Sequence, residues 1–351
     1  MTGITYGNLS FTNGGVNDKL LLGTARVAGD LTINSGAYFS SGNNNISLDG
    51  NWTNNGTFAA GASSSLILNG TAKTIAGNTT FNRMIILGSC TVTAVSTTFN
   101  GLLHVTPSGS LVVGTGAVIV QNDFTNEGIM SSAGVTTFSG TIPQTVRLLN
   151  AISSTSTGVV NFDGNVSPVL NSTTTPLFAT VNINNTSGVT ASASWTVLVS
   201  FVVGSGATFN GGVSTHNFNG AFTNNGTVTS EGTLNLNPAF AAGIKLSGTG
   251  FSSTGLVVFG GAGAATITGA PAVLTNVTIA NTHSSGITPP SGWTVGGKFT
   301  INSNAVFNAG SFSYTVGGNI ESDGTLNGGT STFTMTSAAG DLSGSPLTTF
   351  Y

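Results

Sequence analysis

Ten acidic residues and three histidines are scattered along 351 residues, and their spacing is the first test for chemistry. A glycoside-cleaving centre needs two carboxylates within roughly 5–10 Å on one face. Glu321 and Asp323 share a strand parity and come nearest to that requirement, followed by Asp123 and Glu127. Related segments carry Thr53 and Asn55, or Thr223 and Asn225, at the places of Glu321 and Asp323, so solvated surface variation accounts for both pairs. His104, His216 and His283 lie far apart with no Cys or carboxylate at metal-ligand spacing. His216 falls where Ile46, Val118 and Tyr314 sit in related segments, a wall or core position. The expectation is a chain with no catalytic, cofactor-binding or metal-binding residues and no cofactor, and not an enzyme.

Other motifs fare no better. Gly260-Gly-Ala-Gly-Ala-Ala265 superficially resembles a calcium-binding β-roll repeat, but it lacks the liganding Asp and does not recur. As a phosphate loop it fails too, because no Lys and no helical pattern follow. Gly204-Ser-Gly206 reads as a corner. The Thr-x-Thr pairs Thr91/Thr93 and Thr266/Thr268 are too isolated to form an ice-binding rank. The lone Cys90 reads as a small buried hydrophobe.

The elements that position these residues are set by composition. Charged residues are 5% of the chain, against roughly 25% in typical soluble domains, and Gly numbers 51. With 39% hydrophobic residues, 21 Phe and a net charge of -3, the chain can bury a core, which disordered chains cannot. Thr, Val, Ile and Phe lose rotamer freedom in helices and suit pleated sheets, so almost pure β structure is expected. Seven Lys and Arg are too few to track a phosphate backbone, which excludes nucleic acid as a partner. No apolar run reaches the ~18 residues of a spanning helix, so no membrane insertion is expected. Four Tyr and three Trp are also too few for the aromatic girdles of a transmembrane barrel.

Two phrases recur. The first is Leu31-Thr-Ile-Asn-Ser-Gly, Leu103-His-Val-Thr-Pro-Ser-Gly, Phe201-Val-Val-Gly-Ser-Gly and Phe299-Thr-Ile-Asn-Ser-Asn. The second is Trp52-Thr-Asn-Asn-Gly, Phe124-Thr-Asn-Glu-Gly, Phe222-Thr-Asn-Asn-Gly and Ile320-Glu-Ser-Asp-Gly, each 21 residues after its partner. A constant step with changing residues predicts stacked coils: a right-handed parallel β-helix (β-solenoid) of about 20 residues per coil. The four phrase pairs are expected in one inward column, with Gly56, Gly128, Gly226 and Gly324 supplying positive-φ corners. The Asn runs at Asn54-Asn55 and Asn224-Asn225 are expected to form amide ladders.

A longer period of 98 residues, once 72, divides one continuous solenoid over 1–351 into units of about 9–83, 84–180, 181–276 and 277–351. The close, Pro346-Leu-Thr-Thr-Phe-Tyr351, resembles Pro271-Ala-Val-Leu-Thr-Asn276, so the chain reads as an excerpt of a longer array.

Gly29-Asp-Leu-Thr-Ile-Asn-Ser-Gly36 and Gly50-Asn-Trp-Thr-Asn-Asn-Gly-Thr-Phe58 resemble repeats of very large secreted proteins of Bacteroidetes-type bacteria. These are surface adhesins and filament or sheath components, often exported by the type IX system, whose sorting domain is not seen in this sequence. The resemblance implies an extracellular, cell-surface location and a structural stalk or adhesive filament segment. Its partners would be other copies or neighbouring repeats end to end, and a surface polysaccharide or abiotic surface. Two further readings remain. One is a carbohydrate-binding or carbohydrate-cleaving β-helix, with Trp195 and Trp293 as its aromatic platform. The other is a subunit of an end-to-end polymerising extracellular fibre.

Overall fold

The computed structural model describes residues 4–12, 19–150, 156–247, 250–271 and 273–345; the Pro346–Tyr351 segment compared above with Pro271–Asn276 lies outside them. The described chain is all β, in parallel strands stacked as a solenoid of about 16 turns with roughly 21 residues per turn. It divides into two compact units, Met1–Leu177 and Phe178–Tyr351.

In the first unit each coil runs over three faces. The first face holds nine strands, from Ile4–Tyr6 through Ile46–Leu48 and Leu103–Val105 to Val169–Ser172. The second holds seven, from Leu9–Phe11 through Leu31–Ile33 and Trp52–Asn54 to Ile129–Ser132. The third begins at Lys19–Leu20 and Tyr38–Gly42 and continues with Thr79–Phe81, packed over Thr57–Ala60. The coil is not a fixed length. Stacked positions are as few as 17 residues apart (Ile75 to Val92) and as many as 24 (Phe138 to Phe162).

In the second unit some strands run through a corner and serve two faces. Thr196–Val203 pairs at its start with Asn217 and Phe218 and at its end with Ala221–Asn224. Gly250–Phe259 does the same, with a register shift between Ser253 and Leu256.

Alternation places the apolar residues inward, and successive coils stack them at the ~4.8 Å strand spacing. Phe201 lies over Phe222 with ring centroids 5.5 Å apart and planes at 21°, and Tyr314 over Phe333 at 4.7 Å and 14°. Each fully buried Phe contributes about 1.5–3 kcal/mol of transfer free energy, and each ring pair about 0.5–1.5 kcal/mol more. Cys90 belongs to this core, and burial pushes its thiol up to about 12.

All four phrase pairs are in register: Leu31 with Trp52, Leu103 with Phe124, Phe201 with Phe222, Phe299 with Ile320. They do not share one column. In the first unit Leu31 and Trp52 belong to the column Leu9, Leu31, Trp52, Ile75, Val92 and Val113 on the second face. Leu103 and Phe124 continue Ala25, Ile46, Leu66 and Met84 on the first face. In the second unit Phe201 and Phe222 lead to Ile244 and Ile267. Phe299 and Ile320 instead follow His216, Leu234, Val257 and Val277.

The cause is that the long period is not a whole number of coils. From Leu31 to Leu103 the chain makes three coils and two faces; from Phe201 to Phe299 it makes four coils and two faces. Within each unit the phrase therefore steps back by one face at its next occurrence. The difference between the 72- and 98-residue intervals is one coil.

The corners also differ from expectation. Gly56, Gly128, Gly226 and Gly324 do not have positive φ. They are Gly because the chain touches the previous coil: a Cβ on Gly226 would stand 2.3 Å from the carbonyl oxygens of both Ala207 and Gly204. The left-handed position lies instead at the end of the first phrase, at Gly36 (φ 74°), Gly206 (75°) and Asn304 (65°).

Candidate functional site

Each outward charged group is positioned by strand alternation, and the question is what it meets one coil away. Arg26 Nε and Nη2 donate to Asp49 Oδ2 at 3.2 and 2.7 Å. His104 Nε2 lies 2.8 Å from Glu127 Oε2, and Lys298 is ion-paired with Glu321. All three pairs share one geometry. The basic residue precedes an inward residue, the acid follows the inward residue stacked on it, and the partners are 23 residues apart in sequence. His104 thus has a carboxylate partner after all, on the neighbouring coil.

The acid pairs singled out by parity are not brought together as acid and base. Glu321 faces Lys298, whereas Asp323 Oδ1 accepts the Ser345 N–H at 3.1 Å. Glu127 faces His104, whereas Asp123 Oδ1 accepts the Thr145 N–H at 2.8 Å. Asp30 Oδ1 accepts from the Asn51 N–H at 2.8 Å and from its Nδ2 at 3.0 Å. These carboxylates hold one coil to the next.

That last contact is part of a device the residue spacing did not reveal. At a corner of the first unit, Asn8 Oδ1 accepts the Asp30 N–H, Asp30 accepts from Asn51, and Asn51 Oδ1 accepts the Thr74 N–H at 3.0 Å. The second unit repeats it: Asn276 Oδ1 takes the Lys298 N–H and Asn319 Oδ1 the Asp341 N–H, both at 3.0 Å. A corner interrupts the ladder and leaves an N–H without a strand partner, and a short side-chain oxygen one coil earlier satisfies it. The signal in the sequence is Asn or Asp recurring at one coil length just before a strand.

The buried Asn residues act differently from the expected amide ladders. Asn224 is fully buried; its Oδ1 accepts the Gly226 N–H at 3.1 Å and its Nδ2 donates to Gly250 O at 3.2 Å. Asn54 bonds Gly56 N–H and Asn78 O in the same manner. Ladders occur at other pairs, Asn217 with Asn235 at 2.8 Å and Asn308 with Asn327 at 2.7 Å.

Trp195 and Trp293, the expected carbohydrate platform, are buried at 1% and 2% exposure. Trp195 is packed edge-on against Phe178, and Trp293 stacks on Phe259 at 5.0 Å. They are core residues because the inward parity of each coil claims them. Gly260–Ala265 nests over the loop at Pro238–Phe240: Gly263 N–H donates to Pro238 O at 2.8 Å, and a Cβ there would meet Phe240 backbone at 2.3 Å. Thr91 is flanked by Thr74 and Val112, and Thr266 and Thr268 stack on Gly243 and Lys245, so neither pair joins a rank of like pairs.

His216 is fully buried. Its Nε2 lies 2.8 Å from Gly211 O, and Nδ1 accepts the Trp195 N–H at 3.2 Å. Burial lowers its pKa from the ordinary value, against a smaller upward pull from the Gly211 carbonyl. Among the described residues no group of three or more His, Cys, Asp and Glu comes together to hold a metal ion. An open groove of about 290 Å³ in the first unit is lined by Val95, Thr115, Ala117 and Val135 among others, with no ionisable side chain.

No protein-family model, no curated protein and no solved structure matches this chain.

Proposed function

We propose that the chain is a structural stalk or adhesive filament segment of a bacterial extracellular or cell-surface protein, and that its work is mechanical. The observation that carries the reading is the use made of the polar side chains. Asp30, Asp49, Asp123, Glu127, Glu321 and Asp323 each bond across to an adjacent coil, as do the corner Asn residues.

A load along the axis of either unit meets a sheet ladder on each face, reinforced by side-chain bonds at the corners. The few charges leave an exterior of Thr, Ser and Asn, whose contacts with a surface polysaccharide or an abiotic surface depend little on salt. Neighbouring repeats or other copies stacked end to end are the natural partners of such coils. The burial of Trp195 and Trp293 removes these two residues as the aromatic platform of the carbohydrate-binding or carbohydrate-cleaving reading.

Single-molecule stretching of the full chain tests this reading. The expected record is rupture of each unit at forces well above those of a helical-bundle domain pulled in series with it. Extension at or below the force of that reference would sink the proposal.

A further inference from the structure

We propose that His216 is an acid-sensitive latch: a proton on its Nδ1 releases the Trp195 backbone N–H and loosens the coil between Trp195 and Phe218 in the second unit, where the Trp195 carbonyl keeps its bond from the Asn217 N–H. The geometry assigns the tautomer. Trp195 N–H points at Nδ1 from the previous coil, so Nδ1 must offer a lone pair, and the ring hydrogen sits on Nε2, where Gly211 O accepts it. One ring thereby ties together a backbone group 21 residues earlier and the Gly211 corner of its own coil.

Protonation keeps the Gly211 bond and destroys the other, because the new Nδ1–H then confronts the Trp195 N–H. The imidazolium finds no counter-charge. Around the ring stand Trp195, Phe209 and Phe218, with Leu234 stacked in the next coil. The strands packed against it, Thr196–Val203, Thr208–Asn210 and Thr233–Leu236, carry no ionisable side chain. The one charged residue within 195–236 is Glu231, whose side chain is exposed and whose backbone N–H bonds Gly212 O.

The sign follows from linkage. The folded state holds His216 neutral, while an unfolded His binds a proton near pH 6.5, so the local stability is full above about pH 6.5 and falls as the pH drops below it. His104 and His283 are placed differently. His104 faces Glu127, and His283 Nδ1 accepts the Ser285 N–H at 3.2 Å and meets the Ser285 hydroxyl at 2.7 Å, but within its own part-exposed turn, so it ties no two coils together. The latch stands whether or not the chain bears load.

Hydrogen exchange of the full chain, corrected for intrinsic rates, is the test. Between about pH 7.5 and about pH 5 the Trp195 amide and its strand are expected to lose about tenfold in protection. His216→Leu, which places at this position the residue type stacked above it, is expected to abolish the change; His104→Gln and His283→Gln are expected to leave it. Unchanged protection at Trp195, or an acid loss that persists in His216→Leu, overturns the latch. Should that variant fail to fold, nitrogen NMR of the wild-type ring decides. An acceptor-type Nδ1 that resists protonation below about pH 6.5 supports the latch, and an ordinary titration with an unmoved Trp195 amide refutes it.

Discussion

Two corners bracket the recurrent strands, and they use glycine for opposite reasons. The corner after Phe201 turns through Gly206, which has φ 75° and open space where a Cβ would go. The corner after Phe222 passes Gly226, which has no positive φ and is jammed against the Ala207 and Gly204 carbonyls. The first corner is a problem of backbone conformation. The second is a problem of volume between coils. At the fourth occurrence of the first phrase this corner is filled by Asn304, the non-glycine residue type that best tolerates a left-handed backbone, whereas the second corner is Gly in all four. Coil stacking is therefore stricter than turn geometry.

The comparison breaks most visibly at Gly226. Gly226→Ala forces either coil to move by several tenths of an ångström, and about 2–3 kcal/mol of stability is expected to be lost. Urea unfolding followed by Trp195 and Trp293 fluorescence reports on the second unit. A loss below that of the Gly206 variant would show that the coils yield easily.

Asn224→Ala removes the buried amide behind the same corner and leaves the Gly226 N–H and Gly250 carbonyl without it. The expected loss is about 1–3 kcal/mol, and Asn224→Ser should recover little because the shorter side chain cannot reach both groups. The same unfolding curve measures it.

How much of this was legible in the residues depends on the distance over which they had to be read. Adjacent-coil pairing was legible, because Leu31 and Trp52 or Phe201 and Phe222 differ by one coil and alternation fixes which side faces inward. The face reached after 72 or 98 residues was not. Coils vary between 17 and 24 residues, so small differences accumulate to a third of a turn. The partner of His104 was hidden for a related reason: a diagonal contact needs the local coil length plus two. Residue type alone does not say whether Gly is chosen for φ or for volume, which misassigned Gly56 and its equivalents. Trp195 and Trp293 share inward parity with Val197 and Val295, a two-residue alternation that was legible and that places both rings in the core.

The gentler corner sharpens the contrast. Gly206→Ala is expected to cost about 1–2 kcal/mol, all of it backbone strain in the left-handed region, since no atom lies within 4 Å of the new Cβ. Gly206→Asn should cost less than Gly206→Ala, following the precedent of Asn304 in the equivalent turn. An Asn variant as damaging as the Ala variant would mean that something other than φ governs this corner.

The smallest effect lies outside the corners and asks whether the diagonal ion pairs stabilise the stack at all. Arg26 is exposed, and an exposed pair gains little Coulomb energy in water while its long side chain loses rotamer freedom. Arg26→Ala is expected to change the stability of the first unit by no more than about 0.5–1 kcal/mol, read from Trp52 fluorescence, with the difference shrinking as salt is raised. Asp49 keeps a role without Arg26, because its Oδ1 still accepts from Asn69 Nδ2 at 3.1 Å. Asp49→Ala should therefore cost more than Arg26→Ala. Equal losses in the two variants would assign the whole effect to the ion pair and would rank charge, rather than the short polar bonds between coils, as the surface contribution to stacking.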